Sequence, residues 1–348
     1  MRKIITILTA LTLTLTACSD DAAEHEIPEK LTLIAHDSFA GTAQETGAFD
    51  PFTAETGIEV EIIAAGDAGS LVNQVILTRD NPLADVLFGI DDTFLSRALE
   101  EGIFVEYEAD ELDTVDPDLI DREFRVTPID FGDVCINYDK AWFEQTSLQV
   151  PSDIEALEAS LYAEHFTVEH PATSSPGLAF MLATIDEFGE EGWLDYWADL
   201  REAGVNVVSD WDSAYYGDFT RYGGNSSMVV SYASSPPAEV IFAEEPLEVA
   251  PTGVITDGCY RQVEYAGILD GTGFPEAAGG LIDFMLSVDF QETIPLNWFV
   301  FPVNENAGLP DEFVEHTVIP ENPTRFAASY IAENRDTWIN QWIEVMEG

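Results

Sequence analysis

Hydrophobic residues alternate along this chain between short strand-like runs and stretches with helical spacing, which predicts an α/β fold. In the first third, apolar runs at residues 31–35, 58–65 and 84–90 predict three strands, with helical segments between them. Apart from Asp85, the run at 84–90 is apolar, as expected for a strand that a parallel sheet buries on both faces. We therefore predict a parallel sheet wound as strand, helix, strand.

Two further extended segments, at residues 130–138 and 258–266, bracket the middle third of the chain. This arrangement indicates a chain that leaves one lobe, builds another and returns. The 348 residues suffice for two cores, since single cores stop growing at about 250 to 300 residues. We predict lobe 1 at 31–130 plus 267–348 and lobe 2 at 131–266, hinged by two crossing strands over a cleft.

Polar residues follow the strands of the first lobe, where the ligand crevice of an open parallel sheet lies. The strand ends carry His36, Asp37, Asp67, Ala68, Asp91 and Asp92. Asp is also a common helix N-cap, and Asp67 and Asp92 both precede predicted helices. Ligand contact and helix capping therefore both remain open for these residues.

The middle third begins with a second group of candidates. Ser174 and Ser175 precede an apolar helix predicted over residues 178–188, and the start of a helix can bind an anion. An ordinary N-cap explains the same pattern.

Aromatic residues mark three further places. Trp211 lies between acidic residues, and a strand at 228–231 leads straight into Tyr232, Ala233, Ser234 and Ser235. Trp298 belongs to a cluster bounded by two prolines, which fits either a core segment or a loop that presents a ring to a ligand. We interpret the Tyr232 segment as a site wall.

The first eighteen residues predict an export signal. Arg2 and Lys3 precede an apolar run at 4–15 that is too short to span a bilayer and ends in Leu-Thr-Ala-Cys. This resembles a bacterial lipoprotein signal, which implies cleavage and lipidation at Cys18; an ordinary secretory signal is the alternative. The acidic segment 19–30 is then expected to be a flexible tether.

Cys135 and Cys259 remain after such cleavage, one on each predicted crossing strand. An exported protein can keep a disulfide. If the strands are neighbours, the two Cα atoms could approach the roughly 4.4 to 6.8 Å typical of a bridge. Two buried free thiols are the alternative.

The charge is extreme, with 66 acidic and 13 basic residues and a formal net charge of -53. Binding to nucleic acid needs clustered Lys and Arg, so this balance argues against it. The acidity runs along the whole chain, which we interpret as adaptation to high salt, with an alkaline habitat as the alternative. Composition says almost nothing about the ligand.

Catalytic motifs are lacking in the sequence: there is no G-x-S-x-G, H-E-x-x-H, P-loop or G-x-G-x-x-G pattern. The histidines His25, His36, His165, His170 and His316 lack metal-site spacing. We therefore expect a protein that is not an enzyme and has no cofactor and no resident metal. A secreted enzyme is the remote alternative.

A set of short motifs resembles, in identity and order, the thiamine-binding proteins of bacterial ABC importers. The motifs are residues 36–39, 89–91, 174–178, Trp211 with Ala214 and Tyr215, 231–236, and 294–298. Singly they are weak, but in order they are specific, and the resemblance covers roughly residues 31–345.

The resemblance implies a type II periplasmic-binding-protein fold that captures thiamine, thiamine monophosphate or thiamine diphosphate and delivers it to a membrane permease. We expect a monomer, held at the cell membrane by its lipid anchor. With the strand ends, the candidate ligand site is His36, Asp37, Asp67, Ala68, Asp91, Ser174, Ser175, Trp211, Tyr215, Tyr232, Ala233, Ser234, Ser235 and Trp298. His36 stands where the family often has Tyr, and Ala68 where Gly is usual.

The chemistry of these residues suits that ligand. The thiazolium of thiamine is a permanent cation, for which an aromatic face offers about 0.5 to 2 kcal/mol, and Asp37 and Asp67 would complement its charge. Ser174 and Ser175 suit a phosphate or a hydroxyethyl tail. The rivals with the same fold are ferric-iron binding, through the phenolates of Tyr215 and Tyr216 with His36 and a carboxylate, and polyamine binding.

Overall fold

The computed structural model describes residues 27–243 and 245–348. The predicted signal segment 1–18, with Cys18, and most of the predicted tether 19–30 lie outside the described residues. In the part of the chain that is described, no helix has the length and apolar character needed to cross a membrane.

The strands match the predicted runs closely. They are β1 Lys30–Ala35, β2 Glu59–Ala64, β3 Val86–Asp91, β4 Thr127–Asp139, β5 Phe166–Glu169, β6 Asn206–Val208, β7 Met228–Tyr232, β8 Thr252–Ile268 and β9 Phe301–Pro302. The predicted crossing strands are β4 and β8, and both are longer than predicted.

The helices differ widely in length, and the two longest lie in the second half of the chain. They are α1 Asp37–Thr46, α2 Asp50–Thr56, α3 Ala68–Leu77, α4 Leu95–Glu100, α5 Lys140–Thr146, α6 Ser160–Ala163, α7 Ser175–Ala203, α8 Pro236–Ile241, α9 Pro275–Leu286, α10 Val288–Gln291, α11 Ile294–Asn297, α12 Asp311–His316 and α13 Ala328–Glu347. A π-helical segment spans Ser213–Asp218. The helix predicted at 178–188 is part of α7, which continues beyond a kink at Gly189.

All of these strands form one sheet in the order β2-β1-β3-β8-β4-β7-β5-β6, with β9 paired to β4. β1 pairs in parallel with β2 and β3, as predicted for the first lobe. The long strands β4 and β8 pair with each other antiparallel at the centre of the sheet, from Thr127 opposite Ala266 to Asp139 opposite Thr252. The two crossing strands therefore join the halves of the molecule as neighbours.

Buried side chains form two large clusters. One includes Phe39, Phe49 and Phe290, and the other includes Trp197 and Trp342. The second cluster draws on both predicted lobes, because α13 packs against α4 and α7. The exact division at residues 130/131 and 266/267 stays a prediction.

The two cysteines of the crossing strands are joined. Cys135 on β4 and Cys259 on β8 form a disulfide, with their Cα atoms 4.5 Å apart. Both residues are buried. Of the two alternatives open from the sequence, the structure therefore has the bridge.

Candidate functional site

A cavity of about 600 Å³ lies between the two halves of the molecule, at the crossing strands. Much of the predicted ligand site lines it: His36, Asp37, Asp67, Ser175, Trp211, Tyr215, Tyr232, Ser235 and Trp298. Residues distant in the sequence thus converge, because the strand ends of both halves open on the same space.

A smaller cavity of about 250 Å³ adjoins the first. The walls that both cavities share are His36, Asp37, Ser38, Asp67, Trp211 and Asp212. The small cavity adds Asp210 and the hydroxyl residues Ser70, Thr173 and Ser209. It is therefore a polar and acidic extension of the main cavity.

Five predicted site residues do not line either cavity. They are Ala68, Asp91, Ser174, Ala233 and Ser234, each almost fully buried. The first of them begins α3, whose N-cap is Asp67, and its N–H donates to the Asp67 carboxylate at 2.7 Å. Asp67 therefore caps a helix and also lines the cavity, while its contact with a ligand stays a prediction.

The start of α7 is where the structure departs most from the prediction of an anion site. The Ser175 hydroxyl donates to the Asp91 carboxylate, which also accepts from the Thr93 N–H at 2.7 Å. Burial raises the pKa of Asp91 to about 6, while the hydrogen bonds from Ser175 and Thr93 oppose that rise. Burial also raises the pKa of Asp67. Acidic groups of the protein itself therefore already face this helix terminus.

Two tryptophans stand in the cavity wall. Trp211 is stacked on Tyr215, with centroids 5.0 Å apart and planes at 17°, and its indole N–H donates to Ser231 Oγ at 2.9 Å. Trp298 is stacked on Phe39 at 4.6 Å. Trp298 thus packs against the core and also lines the cavity, and its contact with a ligand stays a prediction.

Several acidic wall residues were missed by the sequence analysis, among them Asp130 and Glu264. Asp130 on β4 lies directly opposite Glu264 on β8, and both line the main cavity. Glu264 Oε1 lies 3.3 Å from His36 Nε2. The available signal was a carboxyl residue inside each predicted crossing strand, but the strand pattern alone does not show that these two side chains meet.

The protonation of this region follows from burial and from these close pairs. Burial, followed by the adjacent Glu264, raises the pKa of Asp130 well above its ordinary range. Burial opposes a charge on His36, but Glu264 outweighs that effect, so the pKa of His36 is raised. The Phe39 N–H also donates to His36 Nδ1 at 3.3 Å, which makes His36 the N-cap of α1.

Tyr215 and Tyr216, the pair proposed to bind iron, are arranged differently from two ligands of one metal ion. The Tyr215 hydroxyl donates to Glu239 at 2.9 Å, and its ring is perpendicular to that of Tyr216. Burial raises the pKa of Tyr215 well above its ordinary range, which opposes formation of a phenolate. Over residues 27–243 and 245–348, no group of three or more His, Cys, Asp and Glu is placed to hold a metal ion.

The two sides of the cavity are in direct backbone contact where α3 meets the start of α7. The Gly69 N–H on α3 donates to the Thr173 carbonyl just before α7 at 3.1 Å. A Cβ at position 69 would lie 2.7 Å from the Ala172 carbonyl oxygen. The absence of a side chain at Gly69 therefore permits the halves to approach this closely.

Comparison with known proteins gives the family. The sequence profile described as bacterial extracellular solute-binding protein matches residues 81–322. The chain belongs to this family. As a member, this solute-binding protein acts outside the cytoplasm.

Named relatives support the same assignment. The solute-binding protein is 30% identical over 314 residues to the thiamine-binding periplasmic protein of Salmonella typhimurium, covering 90% of this chain and 92% of the relative. It is also similar to a solved structure titled periplasmic thiamin binding protein, with a TM-score of 0.82 and 27% identity over 91% of this chain and 96% of that one. The predicted two-lobed type II periplasmic-binding-protein fold is confirmed.

The fold by itself does not choose the ligand. Iron-bound HitA from Pseudomonas aeruginosa shares it with a TM-score of 0.73 and 20% identity, covering 91% of this solute-binding protein and 99% of HitA. The choice therefore depends on the residues that line the cavity.

Proposed function

We propose that this protein captures thiamine in the cavity between its lobes and delivers it to an ABC permease. The observation that carries the proposal is the cavity wall, in which Trp211 and Trp298 line the same space as the buried carboxyl residue Asp130 and the half-buried Asp67 and Glu264. Such a wall suits a flat aromatic cation. The names of the relatives point to the same ligand.

Charge supports a cationic ligand. Among the described residues that line the main cavity there is no Lys or Arg, while acidic residues enter it from both lobes. Aromatic faces add about 0.5 to 2 kcal/mol each toward a cation. Thiamine, thiamine monophosphate and thiamine diphosphate all carry the thiazolium ring, so calorimetry with the three tests the proposal and ranks its ligands. No heat of binding with any of them would refute it.

Trp211→Ala should weaken thiamine binding by about 2- to 30-fold, because the cation loses one aromatic face worth about 0.5 to 2 kcal/mol. The measurement is calorimetry, together with quenching of tryptophan fluorescence by thiamine. Trp142→Phe is the matched control, because Trp142 packs on Phe143 and His165 outside the cavity. Equal affinity in the wild type and in Trp211→Ala would remove Trp211 from the site.

Gly69→Val should also weaken thiamine binding, because the new side chain would collide with the Ala172 and Thr173 carbonyls and hold the lobes apart. Overpacking of this kind costs about 1 to 3 kcal/mol, which is roughly tenfold or more in affinity. Small-angle X-ray scattering should show a larger radius of gyration for the thiamine-saturated variant. Gly280→Val on α9 is the control, since a Cβ there meets nothing within 4 Å. A variant that closes and binds like the wild type would contradict this role of Gly69.

The rival ligands predict different results in the same assays. Ferric iron bound through phenolates would colour the protein. The structure does not favour this ligand, because the Tyr215 hydroxyl donates a hydrogen bond to Glu239. A polyamine would use the acidic walls but leave the aromatic face of Trp211 without a ring to stack on. If spermidine competes only weakly with thiamine, the thiamine assignment is supported. A preference for spermidine would favour the polyamine rival.

We also propose a lipid anchor at Cys18, a position outside the cytoplasm at the bacterial cell membrane, a monomeric state and the absence of enzymatic activity. The signal pattern supports the anchor, and the relatives named above are binding proteins rather than enzymes. The salt adaptation inferred from the net charge stays a prediction.

A further inference from the structure

Two carboxyl groups occupy opposite positions in the wall of the cavity. Asp130 on β4 and Glu264 on β8 occupy opposite positions of the antiparallel crossing strands. Asp130 is 4% exposed and the Glu264 side chain 15%. Like charges directly opposite on neighbouring strands destabilise a sheet, and burial adds to that cost. A proton on one of the two carboxyl groups, or a cation beside them, would therefore relieve this repulsion.

Asp130 also has an unused acceptor. Its Oδ1 atom is buried and has no hydrogen-bond partner in the described structure, although the residue lines the cavity. Buried polar atoms in native proteins are nearly always paired, so an unpaired one at a cavity wall indicates a missing partner. An incoming cationic ligand would supply it.

We propose that the Asp130–Glu264 pair is the cation-recognition site of the cavity, sharing one proton in the empty protein and releasing that proton when a cationic heteroaromatic ligand binds. The inference rests on the proposed function, because it names the residues that would meet the thiazolium.

The electrostatics agree with a shared proton. Two carboxyl groups in one site cannot both ionise freely, so one pKa of the pair rises. Burial and then Glu264 raise the pKa of Asp130. In the proposal, Asp130 holds the shared proton and donates it to Glu264 in the empty protein.

The groups around the pair leave the site negative. The titratable groups that face it are His36 before α1, Asp67 before α3, Asp91 at the end of β3, and Tyr232 on β7, whose hydroxyl donates to Gln262. On β8 itself, Arg261 is neutralised by a bidentate pair with Asp133 at 2.8 and 2.9 Å. His36 is thus the one facing group in this set that can carry a positive charge.

The exchange conserves charge. The singly protonated pair carries one negative charge, and the ligand brings one positive charge. When the ligand binds, the O–H bond of the shared proton breaks, the proton passes to solvent or buffer, and both carboxylates remain with the cation. No other reactant is needed.

Proton release is measured directly by calorimetry of thiamine binding at pH 7 in buffers that differ in protonation enthalpy. This pH lies above the range in which the aminopyrimidine ring of thiamine takes up a proton itself. The expected release is close to one proton per thiamine. At pH values below the raised pKa of Asp130, the affinity for thiamine should increase about tenfold for each unit by which the pH is raised.

Asp130→Asn and Glu264→Gln should each abolish proton release and weaken thiamine binding by at least tenfold. Far-UV circular dichroism checks that the variants fold. Glu45→Gln is the matched control: it removes a carboxylate from the exposed rim of the same cavity, and should keep the release. Deazathiamine, an uncharged isostere of thiamine, should bind wild-type protein without releasing a proton.

A second readout separates this inference from the proposed function. The infrared spectrum of the empty protein at pH 7 should contain a protonated-carboxyl band that is lost in Asp130→Asn. If that band is present but thiamine does not bind, the shared proton is supported and the proposed function fails. If thiamine binds without proton release, or if the band is absent, the inference is overturned and the proposed function stands on its own assays.

Discussion

Replacing both Cys135 and Cys259 by Ala should lower the free energy of unfolding by about 2 to 5 kcal/mol. The bridge joins positions separated by 124 residues, and a cross-link over so long a loop removes much conformational freedom from the unfolded chain. It also ties the two crossing strands together between the lobes. Urea unfolding followed by circular dichroism measures the loss.

Wild-type protein treated with a reductant is the control, since it should lose the same stability without any change of sequence. Unreduced wild type, once denatured, should show neither Cys135 nor Cys259 as a free thiol. If the double variant unfolds at the same urea concentration as the oxidised wild type, the bridge does not stabilise the fold.

The second large effect concerns pH. The protein should lose stability as the pH rises from about 4 to about 8, and Asp92→Asn should remove much of that loss. Asp92 is 3% exposed, and burial followed by the neighbouring Asp91 raises its pKa from an ordinary value of 3.8 to about 8. The nearest Arg325 nitrogen, at 3.8 Å, only partly compensates.

The sign follows from proton linkage. Between the two pKa values the folded state holds a proton that the unfolded state has lost, so each rise in pH favours unfolding. The upper limit of the effect is about 6 kcal/mol, at 1.36 kcal/mol per pKa unit. Asp91, with its pKa raised to about 6, acts in the same direction over a narrower window.

Asp92→Asn should therefore be clearly more stable than wild type at pH 9 and nearly equal to it at pH 4, where Asp92 is protonated in both states. Asp270→Asn, at an exposed position, is the control for the general relief of negative charge. Thermal unfolding across this pH range decides the matter. A wild type whose midpoint rises toward pH 9, or an Asp92→Asn variant no better than Asp270→Asn, would contradict the prediction.

Much of the fold could be predicted from the sequence, because the strands and helices depend on local patterns. The apolar run predicted at 84–90 contains most of the fully buried strand β3, Val86–Asp91, and the parallel order of β1, β2 and β3 follows from strands separated by helices. Asp67 was also readable, as a residue that follows a strand and precedes a helix. Local patterns did not show that α1 begins at Asp37 or that His36 is its N-cap.

The site residues were harder, because contact partners come from distant parts of the chain. Ser175 resembles a free hydroxyl at a helix start, yet its partner is Asp91, 84 residues earlier. Tyr215 resembles half of a phenolate pair, yet Glu239 accepts its hydroxyl hydrogen. Hydrogen-bond partners of this kind leave no signal at the position itself.

The sequence by itself determined the alternation of strands and helices, the two crossing segments with one cysteine on each, and the aromatic and acidic residue types of the site, since these depend on composition and short-range period. Only the tertiary structure decided that the cysteines are bridged and that Asp130 meets Glu264. The register of β4 against β8 sets both contacts. That register depends on the packing of the whole sheet, which no local pattern encodes.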